Sequence, residues 1–147
     1  MYLLDSNVLS ELRPGKSGQS PLVRAWAATV PQQHFYLSSI TILEQEEGVL
    51  RLERLEPPGG QALRRWATAV HKAFAGRILA FGEKEALLCA PMHVPDPKAR
   101  RDSMIAATAL AHGFTLVTRN EKDFLRTGVQ LLNPWEFLPE KSGDPGT

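Results

Sequence analysis

Cysteine is nearly absent: Cys89 stands alone in the chain, which excludes an intramolecular disulfide and any cysteine-rich zinc site. Its surroundings, Ala86-Leu87-Leu88-Cys89-Ala90, are apolar, so a buried, inert thiol is expected rather than a nucleophile. Long hydrophobic runs are missing too. No stretch approaches the roughly 18 apolar residues a membrane span needs. The first apolar run, Tyr2-Leu3-Leu4, stops at once in Asp5 and lacks the basic-then-apolar order of a signal peptide. The expectation is a cytoplasmic protein without a membrane partner. Charge of one sign is also lacking. A net charge of +1 gives neither a basic coat for nucleic acid nor an acidic tail. If RNA is a partner, positive charge must be concentrated locally, as in Lys98-Ala99-Arg100-Arg101 or at Arg119 with Lys122. The histidines His34, His71, His93 and His112 have no metal-ligand spacing.

What remains is a 147-residue chain, 43% hydrophobic and 22% charged, enough for one domain with its own core. A rhythm of short apolar run, polar residue and helical pattern repeats along it. Tyr2-Leu3-Leu4 reads as a strand before a short helix from Val8 to Leu12, with Asn7 as its N-cap. Ser20-Pro21 opens a second helix with Leu22 and Trp26 on its apolar face, closed by Pro31. Phe35-Tyr36-Leu37-Ser38 reads as a strand. A long helix is expected from Thr41 to about Leu55, ended by Glu56-Pro57-Pro58-Gly59-Gly60.

The next helix carries a stripe at Leu63, Trp66, Ala67, Val70 and Phe74, with Gly76 beyond its end. Arg77 to Phe81 reads as a strand, Glu83 to Met92 as a helix, and Pro91, Pro95 and Pro97 mark a loop. An alanine-rich helix from Arg101 to His112 ends at Gly113. Thr115-Leu116-Val117 and Val129 to Leu132 read as strands around a helical turn, Glu121 to Phe124. Strands alternating with helices imply an α/β fold with a mainly parallel sheet covered on both faces. The domain is expected over 1–138 and a disordered tail over 139–147.

Ligands in such sheets bind beyond the carboxyl ends of the strands. Asp5 follows the first strand directly, and Glu44 lies early in the helix after the second. Asp102 opens the alanine-rich helix, and Asp123 lies in the turn after Val117. Carboxylates converging on one rim repel one another unless a cation is present. All-oxygen ligands of this kind suit Mg²⁺, or Mn²⁺. Each acid also has a plain structural reading. Asp5 could cap a helix, Thr41 to Glu44 has the pattern of a capping box, and Asp102 could complement a helix dipole. Asn120 to Asp123 has a similar capping pattern.

Five segments occur in the order of a known family. They are Tyr2-Leu3-Leu4-Asp5-Ser6-Asn7-Val8, Leu37-Ser38-Ser39-Ile40-Thr41-Ile42-Leu43-Glu44 with Gly48, Asp102-Ser103-Met104-Ile105-Ala106-Ala107-Thr108-Ala109, Leu116-Val117-Thr118-Arg119-Asn120-Glu121-Lys122-Asp123-Phe124, and Leu132-Asn133-Pro134-Trp135. From Met1 to about Trp135 the chain resembles the PIN-domain family, in particular the VapC/FitB-type toxins of bacterial toxin–antitoxin pairs. The resemblance implies a three-layer α/β/α sandwich that forms a homodimer and binds Mg²⁺ or Mn²⁺. It implies RNA as substrate, cut to a 5′-phosphate and a 3′-hydroxyl. The partner it implies is a cognate VapB-like antitoxin, and through it operator DNA.

Position by position, the resemblance makes Asp5, Glu44 and Asp102 the acidic core and Asp123 a less constant fourth, both as metal ligands and as catalytic residues. Ser6, Thr118 and Asn120 match supporting polar residues. One departure stands out: many relatives have Asp after the strand ending at Phe81, where this chain has Gly82 and then Glu83. The alternative it leaves open is a PIN-fold binding module with weak or no nuclease activity that works through its antitoxin complex. A receiver-type signalling domain fits less well, because it needs paired acids after strand one, where Ser6-Asn7 follow a single Asp5. Pro14-Gly15-Lys16-Ser17 is no phosphate loop, since Ser10 stands where its first glycine belongs.

Overall fold

The structure, a computed structural model, describes residues 1–139. The expected disordered tail therefore lies outside the described residues except for Pro139. Five strands form one parallel sheet: β1 (Tyr2–Leu4), β2 (Phe35–Ser38), β3 (Ile78–Leu79), β4 (Thr115–Val117) and β5 (Leu131–Leu132). Their order is β3-β2-β1-β4-β5, so β1 is central and the chain changes direction across the sheet between β3 and β4. The six helices described are α1 (Ser6–Glu11), α2 (Pro21–Ala28), α3 (Ser39–Leu55), α4 (Pro57–Ala73), α5 (Glu83–Cys89) and α6 (Arg100–His112). None of them is long and apolar enough to cross a membrane.

Successive side chains of a strand face opposite sides, and here both sides are buried. Leu4 and Val117 join Val8, Leu9, Val23, Trp26 and Val70 in one apolar cluster under α1, α2 and α4. Their immediate neighbours Leu3 and Leu116 join Ile105, Ala106 and Ala109 of α6, with Phe124, on the opposite face. The expected α/β/α sandwich with a parallel sheet is thus the observed one. In α2, Val23 rather than Leu22 is the residue fully buried beside Trp26.

Two expected boundaries move, each for a local reason. Asn7 is not the cap of α1: Asp5 is, its carboxylate accepting from the Ser6 N–H at 2.8 Å. The capping box at Thr41 is also absent. Helix α3 starts two residues earlier, capped by Ser38, whose Oγ accepts from the Ile40 N–H at 3.0 Å. Thr41 therefore lies inside the helix, buried, and Glu44 is released from any capping duty.

The Glu56 to Gly60 stretch is not a loop either. Pro57 and Pro58 take the first helical positions, where a missing N–H costs nothing, and α4 runs on through both glycines. Gly60 is required there because a Cβ would lie 2.5 Å from Glu53 Cα across the α3–α4 contact. Arg64 ties the same pair of helices, donating to Glu46 at 2.7 and 2.9 Å and to Glu53 at 2.9 Å. Strands β3 and β5 are shorter than expected, and the helix after Gly82 ends at Cys89, followed by a 3-10 turn over Ala90–His93.

Candidate active site

The central strand delivers Asp5 to the carboxyl edge of the sheet, beside the point where strand order reverses. Asp5 extends the β1–β4 ladder by one bond, its N–H donating to Val117 O at 2.9 Å. The side chain is fully buried, and both carboxylate oxygens are committed. Oδ1 accepts the Ser6 N–H and a bond from the Arg101 guanidinium. Oδ2 accepts the Thr118 hydroxyl at 2.8 Å and the Asn7 amide at 3.4 Å. Thr118 in turn accepts the Asn120 N–H at 3.1 Å, which closes the turn after β4 onto Asp5. A buried carboxylate survives only with donors of this number and kind.

Glu44 and Asp102 reach the same place from two helices. Glu44 Oε1 accepts the Ser6 hydroxyl at 3.2 Å and a bond from Arg101 Nε. Asp102 Oδ1 accepts from the Arg101 Nη1 at 2.7 Å. Arg101 Nη2 also donates to Ser6 Oγ at 3.1 Å. Each of the three guanidinium nitrogens thus serves a different carboxylate. Burial alone would lower the guanidinium pKa, but the Asp5 and Glu44 carboxylates outweigh it and hold Arg101 above its ordinary value. The Asp102 carboxyl is pushed up, first by its own burial and then by the charges of Asp123 and Asp5, with Arg101 opposing.

Asp5, Glu44 and Asp102 are therefore brought together, with Ser6 and Thr118 bonded to them. Asp123 is exposed and reaches the group only through the field it exerts on Asp102. Asn120 contributes its backbone N–H and is likewise exposed. Among the described residues, no three His, Cys, Asp or Glu side chains stand together as a metal-holding group. The physical reason is visible: the carboxylates are spread around one guanidinium, one per nitrogen. The donor chemistry, all hard oxygen, still fits a divalent ion of the Mg²⁺ kind.

Two residues went unrecognised in the sequence. In the sequence Arg101 reads, with Lys98 and Arg100, as local positive charge for RNA; Arg100 is exposed, whereas Arg101 turns inward. The available signal was a cation adjacent to Asp102 in a region where acids were expected to repel. Asn7, read as a cap, donates to both Asp5 and Thr118 and accepts the Arg119 N–H at 3.2 Å. Cys89 is buried as expected, and its Sγ donates to Ser103 Oγ at 3.3 Å. His93 Nε2 meets the same hydroxyl at 2.7 Å, so this histidine is satisfied by the start of α6. Gly82 lies beyond β3 at the sheet edge and caps α5, joined to Glu85 by its N–H.

A family model described as PIN domain matches residues 2–130. The toxin FitB of Neisseria gonorrhoeae is 37% identical over 142 residues, covering 92% of this chain and 99% of the relative. The VapC ribonuclease Y4jK of Sinorhizobium fredii is 33% identical over 144 residues, covering 92% of this chain and 99% of its own length. A solved structure of FitAB bound to an IR36 DNA fragment superposes with a TM-score of 0.82 at 34% identity, covering 96% of this chain and all of that one. The chain belongs to the PIN-domain family.

Proposed function

We propose that this protein is the toxin of a toxin–antitoxin pair and hydrolyses RNA phosphodiester bonds with a bound Mg²⁺. The observation that carries the reading is the convergence of Asp5, Glu44 and Asp102 on one cation at the carboxyl edge of the sheet. Its similarity to the VapC ribonuclease and FitB supports the activity class. Asp5, Glu44 and Asp102 would hold the ion, with Asp123 at the rim. When bound, the ion supplies Lewis acidity toward a phosphoryl oxygen and lowers the pKa of a coordinated water.

The chain's own residues do the rest. Thr118 and Asn7 hold Asp5 Oδ2, which fixes the carboxylate plane. Ser6 joins Asp5 to Glu44 through its N–H and hydroxyl. Exposed Arg100, Arg119 and Lys122 offer the local positive charge an RNA backbone needs.

The antitoxin partner is supported by an apolar groove of about 520 Å³ between α1, α2 and α4, lined by Leu12, Ala27, Val30, Trp66, Val70 and Phe74. A second hollow of about 240 Å³ shares Leu9 and Trp66 with it and continues to Ser6 and Glu44. An amphipathic antitoxin segment laid in this groove would lead directly to the acids. The complex is the form that would reach operator DNA, as the FitAB structure is bound to DNA. Exposed Leu43, Leu50, Leu87 and Leu88 support a homodimer, and the working compartment we propose is the cytoplasm.

The test is induction in cells lacking the antitoxin, with protein abundance checked by blot. Wild type is expected to arrest growth, and Asp5→Asn and Asp102→Asn to permit it while still binding the antitoxin. Purified protein is expected to lose RNase activity in EDTA and regain it with Mg²⁺ or Mn²⁺. Equal arrest by all three at equal abundance, or activity that survives exhaustive chelation, overturns this reading.

A further inference from the structure

The acidic centre already contains a cation, and that cation belongs to the chain. Arg101 is the residue before Asp102, and among the described residues its guanidinium is the one group that touches Asp5, Glu44 and Asp102 together. The oxygens it occupies are Asp5 Oδ1, Glu44 Oε1 and Asp102 Oδ1. Both Asp5 oxygens are engaged among the described residues. Its Oδ2 is closed by the Thr118 hydroxyl and the Asn7 amide, and its Oδ1 is shared by Arg101 with the Ser6 N–H. A divalent ion shared by these three oxygens would therefore take the place the guanidinium holds.

We infer that Arg101 is a built-in counter-ion of the acidic centre, which holds the carboxylates apart in the metal-free protein and must be displaced by a divalent ion. The inference rests on the metal-dependent reading of this site. Without a cation, three carboxylates this close are strongly unfavourable, the more so because Asp5 is fully buried. A guanidinium fits the gap because its donors are planar and fan outward, one nitrogen to each acid. A divalent ion, a compact charge that prefers hard oxygen ligands, would compete for the same carboxylate oxygens. The arrangement around Arg101 is the one present, and a divalent ion would have to draw the same carboxylates together. Formal charge makes the exchange workable. Three acids and one arginine leave −2, the charge one divalent ion neutralises, so Arg101 can stay at the rim after it leaves the centre. Removing Arg101 leaves the buried Asp5 carboxylate with neutral donors only and no opposite charge, which weakens the protein while freeing the ligands for metal.

The experiment measures Mn²⁺ binding by calorimetry on full-length wild type, Arg101→Met, Arg101→Lys and Asp5→Asn, together with melting temperatures with and without Mn²⁺. Arg101→Met is expected to melt about 3–5 °C below wild type without metal and to regain that loss in saturating Mn²⁺. Its Mn²⁺ dissociation constant is expected to be about tenfold lower than that of wild type, because a competing positive charge is gone. Arg101→Lys, which keeps the charge but lacks the planar fan of donors on separate nitrogens, is expected between the two. Equal or weaker Mn²⁺ binding by both arginine variants, with wild type binding normally, overturns the counter-ion role and leaves the metal reading standing. Should Arg101→Met not fold, Arg101→Lys decides alone by the same comparison. If neither wild type nor the variants bind Mn²⁺, both the metal reading and the counter-ion role fall. Asp5→Asn, expected to lose binding, shows that the heat reports this site.

Discussion

The Thr118 hydroxyl donates to Asp5 Oδ2 at 2.8 Å, joining residues 113 positions apart at the carboxyl ends of two adjacent strands. Neither group is exposed, so the bond works in a low-dielectric setting where an unmade hydrogen bond is costly. Thr118→Val keeps the shape and deletes the donor. It is expected to lower stability by about 1–3 kcal/mol in urea unfolding and activity by about 10–100-fold, as for a residue that orients a metal ligand. Thr118→Ser is expected to restore most of both. A valine variant as stable and active as wild type would remove Thr118 from the site.

Glu44 separates the site from helix capping. Ser38 already caps α3, so Glu44→Gln takes nothing from the helix start and keeps an oxygen for Ser6 and Arg101. The expected result is a change in melting temperature below about 3 °C with activity down at least about tenfold. A variant that melts early but is fully active when folded would return Glu44 to a structural role.

Gly60 tests the α3–α4 contact away from the acids. A methyl group there would meet Glu53 Cα at 2.5 Å, a backbone atom that cannot swing aside. Gly60→Ala is expected to cost about 1–3 kcal/mol by overpacking, read by thermal or urea unfolding. Activity per folded molecule is expected to be unchanged. Unaltered stability would show that the helices separate freely.

Glu11 sets a pH dependence. The Ser20 N–H holds its carboxyl below the ordinary range, helped by Lys16 at 3.0 Å, while burial opposes. A lowered native pKa means that the ionised form favours folding. The stabilisation is present above the unfolded value of about 4.3 and is lost as pH falls through the lower native value. Wild type is therefore expected to be more stable than Glu11→Gln at pH 7, with the gap closing below about pH 4. A gap independent of pH would assign the difference to packing.

The sequence alone was enough for the order of strands and main helices and for three of the four acids, though not for the element boundaries. Short continuous apolar runs such as Leu3-Leu4 and Leu116-Val117 announce strands buried on both faces, because a strand sends neighbours to opposite sides whatever it packs against. The stripe from Leu63 to Phe74 announces α4 for the same local reason. Asp5, Glu44 and Asp123 could be placed at one edge because parallel α/β topology sends strand ends there, and Asp102 at the start of its helix; of these the structure leaves Asp123 exposed.

What tertiary structure decided was how those groups share their partners. Asp5 rather than Asn7 caps α1, since several polar side chains compete for the same few donors and only packing ranks them. Gly60 reads as a helix breaker in the sequence. It lies inside a helix because Glu53, seven residues earlier, comes too close for a side chain. Arg101 reads as one of several exposed cations. Its inward turn depends on Asp5 and Glu44, 96 and 57 positions away, whose combined charge exists only once β1, α3 and α6 meet.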